Sequence, residues 1–269
     1  MKRVGLIAGA GRFPSLIAEA VKGQGRSVVV IAHEGITDPV IEQIADRTVW
    51  VRMGQLGALI RGLKEHGAEE AAMAGGFRKT LLFSGIRPDF RALALLARMA
   101  TRKDDVLLRG LAEELEKEGI RVIEATAYLH HLLARPGVMT RREPTAEEWS
   151  DIRFGWEMAR EVGRLDIGQC VVVKDRAVLA VEAIEGTDEA IRRGGILGKG
   201  GSVVVKVCKP GQDTRFDLPT VGVRTLATMK EAGGAVLAVE AGKTVILDRD
   251  ALLAEADAAG IAVVGLTEP

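Results

Sequence analysis

A chain of 269 residues with 47% hydrophobic and 28% charged side chains is typical of a globular protein, and its length favours two domains. Its 37 basic residues balance 37 acidic ones, so no overall field draws it to nucleic acid or to an anionic membrane. The two cysteines lack CxxC spacing, the N-terminal apolar run is too short for a signal peptide, and no run approaches the roughly 20 apolar residues of a membrane span. We therefore expect a reduced, cytoplasmic protein.

The first half of the chain alternates predicted strands and helices. The apolar runs VGLIAG, SVVVIAH, TVWV and EEAAMAGG are predicted to be strands, and segments with helical spacing separate them. This alternation predicts a parallel sheet with right-handed crossovers, which is a Rossmann-like fold. Ligands of such sheets bind at the carboxyl ends of the strands, where His33 is predicted to be a polar strand end rather than a base. The candidate substrate-binding residues at this edge are Gly9, Gly11, Arg12, Gly75 and Gly76.

The turn after the first strand resembles a dinucleotide fingerprint only in part. Gly9 and Gly11 match its first two glycines, but Pro14 occupies the third position. Because that third glycine permits close contact between helix and strand, NAD-type binding is disfavoured. Pro14 suits the first turn of a helix, whose free N–H groups still attract an anion. Two interpretations stay open here: a phosphate or nucleotide contact, and a glycine turn that closes the unit.

Two helices are predicted over residues 87–118. Asp104 and Asp105 lie near the start of the second helix, where a carboxylate complements the helix dipole. Leu93 and Leu96 belong to an apolar stripe that is predicted to be buried core rather than an acyl-chain groove.

A domain boundary is predicted where the helical spacing ends. The run TAYLHHLLARPGVMTRREP follows the predicted strand IRVIEA, loses periodicity and gathers proline, glycine and arginine. We predict a Rossmann-like, parallel-sheet N-terminal domain at 1–134, a linker at 135–144 and a mixed-sheet α/β C-terminal catalytic domain at 145–269.

The second domain opens with a capping box, formed by Thr145 and Glu148, at the start of a helix. The run QCVVVKDRAVLAVEAIEG then predicts two strands joined by a tight turn at residues 174–176. Glu182 continues an apolar face of the second strand, and a buried carboxylate is costly unless it is paired. Glu182 is therefore either the partner of Lys206 or a site residue.

Another helix is predicted after these strands. Thr187 is expected to be its N-cap, and Asp188 suits its first turn, with a functional role left open. Five glycines surround Lys199 within residues 194–201, and they fit a flexible lid and a plain loop equally well. The run is not a Walker A loop, because Arg193 occupies its first glycine position.

The densest charge follows the strand SVVVK. Lys206 interrupts an apolar strand face, which calls for a nearby anion: Glu182 or a substrate phosphate. The charged residues of the next run, KPGQDTRFDLP, are Lys209, Asp213, Arg215 and Asp217. Such a mixture suits a phosphate ester, since phosphoryl chemistry uses cations or a metal together with carboxylates. A network of turn carboxylates around Arg215 is the alternative.

The rest of the chain is EAGGAVLAVEAGKTVILDRDALLAEADAAGIAVVGL. It is predicted to form a strand, a turn, a second strand, a helix and a last strand, which would complete the second sheet. Glu240 interrupts AVLAVEAG much as Glu182 interrupts AVLAVEAIEG, and this likeness predicts an internal repeat of paired hairpins.

Six runs, in the same order along the whole chain, resemble the LpxI family, the UDP-2,3-diacylglucosamine pyrophosphatases of lipid A biosynthesis. They are MKRVGLIAGAGRFP, RKDDVLLRGLAEELEKEGI, GRLDIGQCVVV, AVEAIEGTDEAIRRGG, VKVCKPGQDTRFDLPTVG and AGGAVLAVEAGKTVILDRD. The resemblance implies hydrolysis of UDP-2,3-diacylglucosamine to UMP and 2,3-diacylglucosamine 1-phosphate (lipid X). It implies that the aspartate of RFDLP, Asp217, is essential for catalysis.

We combine the resemblance with the charge pattern to assign candidate residues. Asp217, Asp213, Lys206 and Arg215 are the catalytic candidates, and Asp217 and Asp188 are candidate ligands of Mg²⁺ or Mn²⁺. Further substrate-binding candidates are Asp104, Gln169, Glu182, Thr187, Asp188 and Lys209.

The expected partner is a small glycolipid nucleotide and not nucleic acid, with peripheral contact with the inner membrane and a homodimer as further expectations. Two other function classes stay open: a nucleotide-cofactor oxidoreductase and a non-catalytic lipid- or nucleotide-binding protein.

Overall fold

A computed structural model describes residues 3–76, 88–98, 104–216 and 218–268, which divide into two compact units. The first unit comprises Met1–His130 and Asp213–Asp217, and the second comprises His131–Gln212 and Leu218–Pro269. Phe216 lies in the hydrophobic core of the first unit, 7% exposed, which explains why its segment belongs there. No helix of the described residues is long and apolar enough to cross a membrane.

The first unit is built on a parallel sheet. Its strands are β1 (Arg3–Ala8), β2 (Ser27–His33), β3 (Arg47–Val51), β4 (Ala68–Ala74) and β5 (Arg121–Ile123). Its helices are α1 (Phe13–Gly23), α2 (Ile41–Ile44), α3 (Leu56–Glu65), α4 (Phe90–Arg98) and α5 (Asp104–Lys117). All pairings are parallel, in the order β3-β2-β1-β4-β5, so the Rossmann-like prediction is confirmed. The continuous apolar runs of β1 and β2 are buried, as expected of a parallel sheet covered on both faces.

The predicted core stripe on α4 is wrong. This helix buries Ala92 and packs Leu95 against the core, while Leu93 is 49% exposed and Leu96 is 37% exposed. Leu93 and Leu96 therefore lie on the outer side of a helix that faces the core through Ala92 and Leu95.

The second unit is built on a mixed sheet. Its strands are β6 (Gly137–Val138), β7 (Cys170–Lys174), β8 (Ala177–Val181), β9 (Ser202–Lys206), β10 (Thr220–Val221), β11 (Gly234–Glu240), β12 (Val245–Ile246) and β13 (Ala262–Leu266). Its helices are α6 (Ala146–Arg164), α7 (Thr187–Gly198), α8 (Val223–Glu231) and α9 (Arg249–Ala259). The main sheet has the order β6-β13-β11-β9-β7-β8, and β10 pairs with β12 in a separate sheet.

Strand directions confirm the predicted mixed sheet. Strands β9, β11 and β13 are parallel to one another, while β7 is antiparallel to both β8 and β9. Helix α6 packs on one face, and α7, α8 and α9 pack on the other. Strand β6, inside the predicted linker, pairs antiparallel with β13. The predicted repeat of hairpins is wrong, because β8 is the edge strand of a hairpin whereas β11 is flanked by two parallel neighbours.

Two local predictions of the second unit are confirmed. Thr145 Oγ1 accepts a hydrogen bond from Glu148 N at 3.3 Å, and Glu148 Oε2 accepts one from Thr145 N at 2.9 Å. In the turn between β7 and β8, Asp175 and Arg176 have φ values of 51° and 57°. Asp151 on α6 stabilises this turn by accepting both of their backbone N–H groups, at 2.9 and 2.7 Å.

Candidate active site

The most unusual polar group of the second unit is the buried ammonium of Lys206. This side chain ends β9, is 6% exposed, and donates to Thr187 Oγ1 and to Thr220 O, each at 3.0 Å. The Thr187 hydroxyl donates in turn to Glu182 Oε1 at 2.7 Å. Among the described residues Lys206 contacts no carboxylate within 4.0 Å, so the hydroxyl connects the two charges.

Glu182 is buried, as predicted, and its second oxygen accepts a hydrogen bond from Gln169 N at 3.3 Å. Gln169 thus takes part through its backbone, while its side-chain Oε1 is buried and has no hydrogen-bond partner in the described part of the chain. Cys170 pairs with Lys206 across the sheet, and burial raises the pKa of its thiol. A thiol in this state stays protonated and unreactive.

The predicted N-cap role of Thr187 is wrong by one residue. Helix α7 begins at Thr187, and Gly186 with φ of 88° is its N-cap. The Thr187 hydroxyl donates to Glu182 and so makes no cap hydrogen bond with the helix backbone. Because Thr187 is the first residue of α7, its hydroxyl lies within hydrogen-bond distance of Lys206 Nζ.

A cavity of about 320 Å³ opens at this end of α7. Residues 185–189, Lys206, Thr220 and the start of α8 line it. Asp188 Oδ2 lies 2.8 Å from Arg224 Nε, so the candidate metal ligand already has a cationic partner. Sequence reasoning missed Arg224, although a cation in the first turn of a helix opposes the helix dipole and was a usable signal.

The other end of α7 is held by Lys174, whose Nζ donates to Gly198 O at 2.8 Å and to Gly200 O at 2.9 Å. The glycines nearby allow close packing. A Cβ on Gly194 would lie 2.5 Å from Val172, and one on Gly195 would lie 2.3 Å from the Ala232 carbonyl oxygen. The expectation of a lid or plain loop is therefore wrong, because most of this glycine run is helix packed against β7 and α8.

The charged run after β9 makes ion pairs with carboxylates both near and far along the chain. Lys209 Nζ lies 2.8 Å from Asp166 Oδ1. In the first unit, Arg215 donates from Nε and Nη2 to the two carboxylate oxygens of Asp213, at 3.0 and 2.8 Å. These hydrogen bonds lower the pKa of Asp213 and raise that of Arg215. The contacts favour the alternative of a turn network for Asp213 and Arg215.

The glycine-rich edge of the first unit is closed by backbone pairing. Ala10 and Gly76 exchange hydrogen bonds of 2.9 and 3.0 Å, and Gly9 N donates to Ala74 O at 2.7 Å. A Cβ on Gly9 would lie 2.9 Å from the Gly75 backbone, which explains a glycine there. The N–H groups of Gly9 and Ala10 therefore donate to the end of β4 and to the chain just after it, and the interpretation of a turn that closes the unit is favoured.

Arg12, Gly11 and His33 lie at the same edge of the sheet, each in a different environment. Arg12 is the N-cap of α1, and a Cβ on Gly11 would meet nothing within 4 Å. His33 ends β2 as predicted, 5% exposed, with Nδ1 3.0 Å from Ala8 O. Burial lowers the pKa of His33, so its ring is neutral.

Comparison with known proteins gives matches along nearly the whole chain. The family models of the LpxI N-terminal and C-terminal domains match residues 3–132 and 135–264. The chain belongs to the LpxI family. The protein from Caulobacter vibrioides named UDP-2,3-diacylglucosamine pyrophosphatase LpxI is 37% identical over 277 residues, which cover 99% of this chain and 98% of that relative.

Other similarities are shorter or weaker. The bifunctional purine biosynthesis protein PurH of Anaeromyxobacter is 33% identical over 133 residues, 47% of this chain and 22% of that protein. Among solved structures, phosphoribosylglycinamide synthetase from Anaerococcus prevotii is 14% identical, with a TM-score of 0.28 over 71% of this chain and 34% of that one.

The predicted site residues do not form a single cluster in the described part of this LpxI-family chain. Glu182, Thr187, Asp188 and Lys206 meet at the start of α7, joined by the Gln169 backbone. The glycine edge, Asp213 and Arg215 belong to the first unit, and Lys209 has its own partner. Asp217 and the side chain of Asp104 lie outside the described residues.

Proposed function

We propose that this LpxI-family chain hydrolyses the pyrophosphate bond of UDP-2,3-diacylglucosamine, releasing UMP and 2,3-diacylglucosamine 1-phosphate in lipid A biosynthesis. The observation that carries the proposal is the full-length similarity to the Caulobacter protein of that name, 37% identical over 99% of this chain. The order of the two family domains along the chain supports it further.

The surroundings of Lys206 support a phosphate at this site. A protonated lysine has three N–H donors, and Lys206 gives one to Thr187 and one to Thr220. Within the described residues its third N–H has no partner, and the first turn of α7 adds a positive helix end beside the same cavity. Two positive sources thus face a space of about 320 Å³, which has room for a phosphate group and is also lined by Glu185, Asp188 and Glu189.

Glu182 and Thr187 would act as positioning residues. Because the Thr187 hydroxyl donates to Glu182, its oxygen is left to accept from Lys206, which fixes the direction of the ammonium. A fixed cation needs little reorganisation when negative charge develops on a phosphate oxygen.

Asp217 is proposed as the catalytic carboxylate on the strength of the family resemblance. It comes three residues before Thr220, whose carbonyl accepts from Lys206. A carboxylate in this role orients the attacking water or holds a metal ion.

We propose that Mg²⁺ or Mn²⁺ assists the reaction. Among the described residues, no group of three or more His, Cys, Asp or Glu side chains could hold a metal ion, and Asp188 is paired with Arg224. These residues alone do not form a metal site. Mg²⁺ commonly binds through one or two carboxylates together with substrate phosphates, so Asp217 with the pyrophosphate is the proposed donor set. The bound ion would neutralise phosphate charge.

The substrate carries acyl chains, so we further propose a cytoplasmic enzyme that meets the inner membrane peripherally. A homodimer stays a prediction.

The decisive experiment incubates the pure protein with UDP-2,3-diacylglucosamine and Mg²⁺ and follows both phosphate products by ³¹P NMR. Release of UMP with 2,3-diacylglucosamine 1-phosphate is expected, and UDP-glucose serves as the control without acyl chains. Water labelled with ¹⁸O identifies the phosphorus that is attacked. No release of UMP would refute the activity, whereas full activity in excess EDTA would refute only the metal dependence.

A further inference from the structure

Glu240 is a buried carboxylate that the proposed mechanism does not use. It is the last residue of β11, a strand with a parallel neighbour on each side, and it is 3% exposed. The sequence singles it out because it interrupts the apolar run AVLAVEAG. Burying a carboxylate is costly unless partners compensate the loss of water, so the contacts of Glu240 indicate its role.

One oxygen of Glu240 holds the backbone of the charged run that follows β9. The ladder between β9 and β11 ends at the pair of Lys206 and Val239. Two residues after Lys206, Cys208 N donates to Glu240 Oε2 at 2.8 Å, in a buried position. The side chain therefore supplies an acceptor just beyond the last pair of the ladder. Because the acceptor is a carboxylate, this hydrogen bond is stronger than one between neutral groups.

The other oxygen of Glu240 is paired with cations. Glu240 Oε1 lies 2.8 Å from Lys243 Nζ and 3.9 Å from Arg160 Nη1. The contact with Glu240 raises the pKa of Lys243, so this ammonium stays charged. The carboxylate is thus neutralised on one side, and its second oxygen is left for Cys208 N.

The chain just after Cys208 forms a closed turn. Gln212 Oε1 accepts from Lys209 N at 2.9 Å, and Gln212 N donates to Lys209 O at 3.0 Å. The thiol of Cys208 lies 3.4 Å from the same side-chain oxygen of Gln212. A shift of Cys208 would therefore displace the whole turn.

The segment after Glu240 also holds the far end of the same run. Val245 N donates to Pro219 O at 2.8 Å, and β12 pairs in parallel with β10. Residues 240–246 therefore hold the chain both at Cys208 and at 219–221. Asp217 lies between these two anchors in the sequence. Fixing both ends of a short loop reduces the number of conformations open to it.

We propose that Glu240 is a positioning residue for Asp217, and that it acts by holding the run KPGQDTRFDLP at Cys208 N. This inference rests on the proposed function, in which Asp217 is the catalytic carboxylate. Glu240 acts through the backbone and not through contact with the substrate. A misplacement of about 1 Å at a reacting group can cost about 10²-fold in rate, so loss of the anchor should lower kcat more than it changes KM.

The test compares Glu240→Leu, which removes the acceptor, with Glu240→Gln, which keeps one. For Glu240→Leu we expect kcat per folded molecule to fall by about 10- to 100-fold with little change in KM, and Glu240→Gln should recover most of this loss. Hydrogen exchange measured by mass spectrometry follows the anchor itself. The Cys208 amide should exchange about tenfold faster or more in the leucine variant, because its acceptor is gone.

Glu240→Asp is a second test that does not depend on the folding of the leucine variant. It keeps the charge beside Lys243 but shortens the side chain by one carbon, which withdraws the oxygen from Cys208 N. We expect faster exchange of the Cys208 amide and a fall in kcat of about tenfold.

Two matched controls leave the acceptor for Cys208 in place. Lys243→Gln removes the cation, and Glu268→Gln removes the exposed carboxylate that lies 2.9 Å from Arg160. Both should leave kcat per folded molecule unchanged, whatever their effect on stability. A fall in kcat for Lys243→Gln as large as that for Glu240→Leu would overturn the inference, because the charge pair and not the anchor would then matter.

The inference would also be overturned if the Glu240 variants free the Cys208 amide but keep the parental kcat, or if they leave its exchange unchanged. Failure of the proposed function looks different, because the parent protein itself would then release no UMP. In that case the exchange measurement alone decides whether Glu240 holds the run at Cys208.

Discussion

The two ends of α7 are each held by a lysine from the same sheet, in opposite electrostatic settings. Lys174 and Lys206 lie on the neighbouring antiparallel strands β7 and β9, and each donates to two oxygens at about 3 Å. Lys174 meets carbonyl oxygens at the carboxyl end of the helix, whereas Lys206 meets a hydroxyl at its amino end. The first arrangement agrees with the helix dipole and the second opposes it.

This difference separates a structural lysine from a functional one. A cation at the carboxyl end of a helix typically stabilises it by 0.3–1 kcal/mol, with the opposite sign expected at the amino end. Lys206 is also buried, which adds a desolvation cost. Its position is favourable only with an anion nearby, and Glu182 supplies one through Thr187. An incoming phosphate would supply another.

The largest effect is expected from Asp217→Ala, which removes the proposed catalytic carboxylate three residues before Thr220, whose carbonyl accepts from Lys206. We expect kcat to fall by about 10² or more, as for loss of a key acid–base or electrostatic group. Turnover and melting temperature are measured on the same sample. A large fall in melting temperature with a proportionate loss of activity would mean that this carboxylate is structural.

Lys206→Met should follow, with kcat/KM reduced by about 10² to 10³, the range for one electrostatic contact in a transition state. Lys174→Met is its matched control, because it removes the same charge from the neighbouring strand. Activity is corrected for the folded fraction by circular dichroism. Equal losses of kcat/KM in the two variants would show that Lys206 has no functional role that Lys174 lacks.

For Lys174→Met, the main change should be in stability. It leaves two carbonyl oxygens without their donor, so we expect the free energy of unfolding to fall by about 1 to 2 kcal/mol, with unchanged kcat per folded molecule. Urea titration measures the change. A stability equal to the parent would show that the carboxyl end of α7 does not need this contact.

Thr187→Val tests the hydroxyl that joins Lys206 to Glu182. The shape is kept but the connection is lost, so we expect about a tenfold fall in kcat and a loss of roughly 1 kcal/mol of stability. Thr187→Ser keeps the hydroxyl and should recover most of the activity. Failure of the serine variant to recover it would point to packing by the methyl group.

The smallest effect concerns pH and the Asp213–Arg215 pair, which we regard as structural like Lys174. Arg215 lowers the pKa of Asp213, so the stability that this pair contributes is present above the unfolded pKa of about 3.9 and is lost as pH falls through the folded pKa. The contribution should be below about 1 kcal/mol, because the pair is partly exposed. Asp213→Asn should remove this acid dependence from urea titrations at different pH values while kcat stays unchanged. A large loss of kcat would show that Asp213 takes part in catalysis and is not only structural.

The sequence by itself determined part of the local structure and the two faces of β9. Alternation in SVVVK placed Lys206 on an otherwise apolar face, and burial on both faces of β9 agrees with that prediction. The Thr145–Glu148 capping box and the turn at residues 174–176 also followed from neighbours a few positions apart. Such features depend on backbone geometry within one or two turns of chain, which the local sequence specifies.

Only the tertiary structure decided which charges meet. A period of two assigns a side chain to a face but not to a neighbouring strand, so the contacts of Lys206 with Thr187 and Thr220 depend on the order of strands in the sheet. The same holds for the Arg224–Asp188 pair. Sequence patterns reach a few residues, whereas these contacts join segments that the fold brings together from 14 or more residues apart.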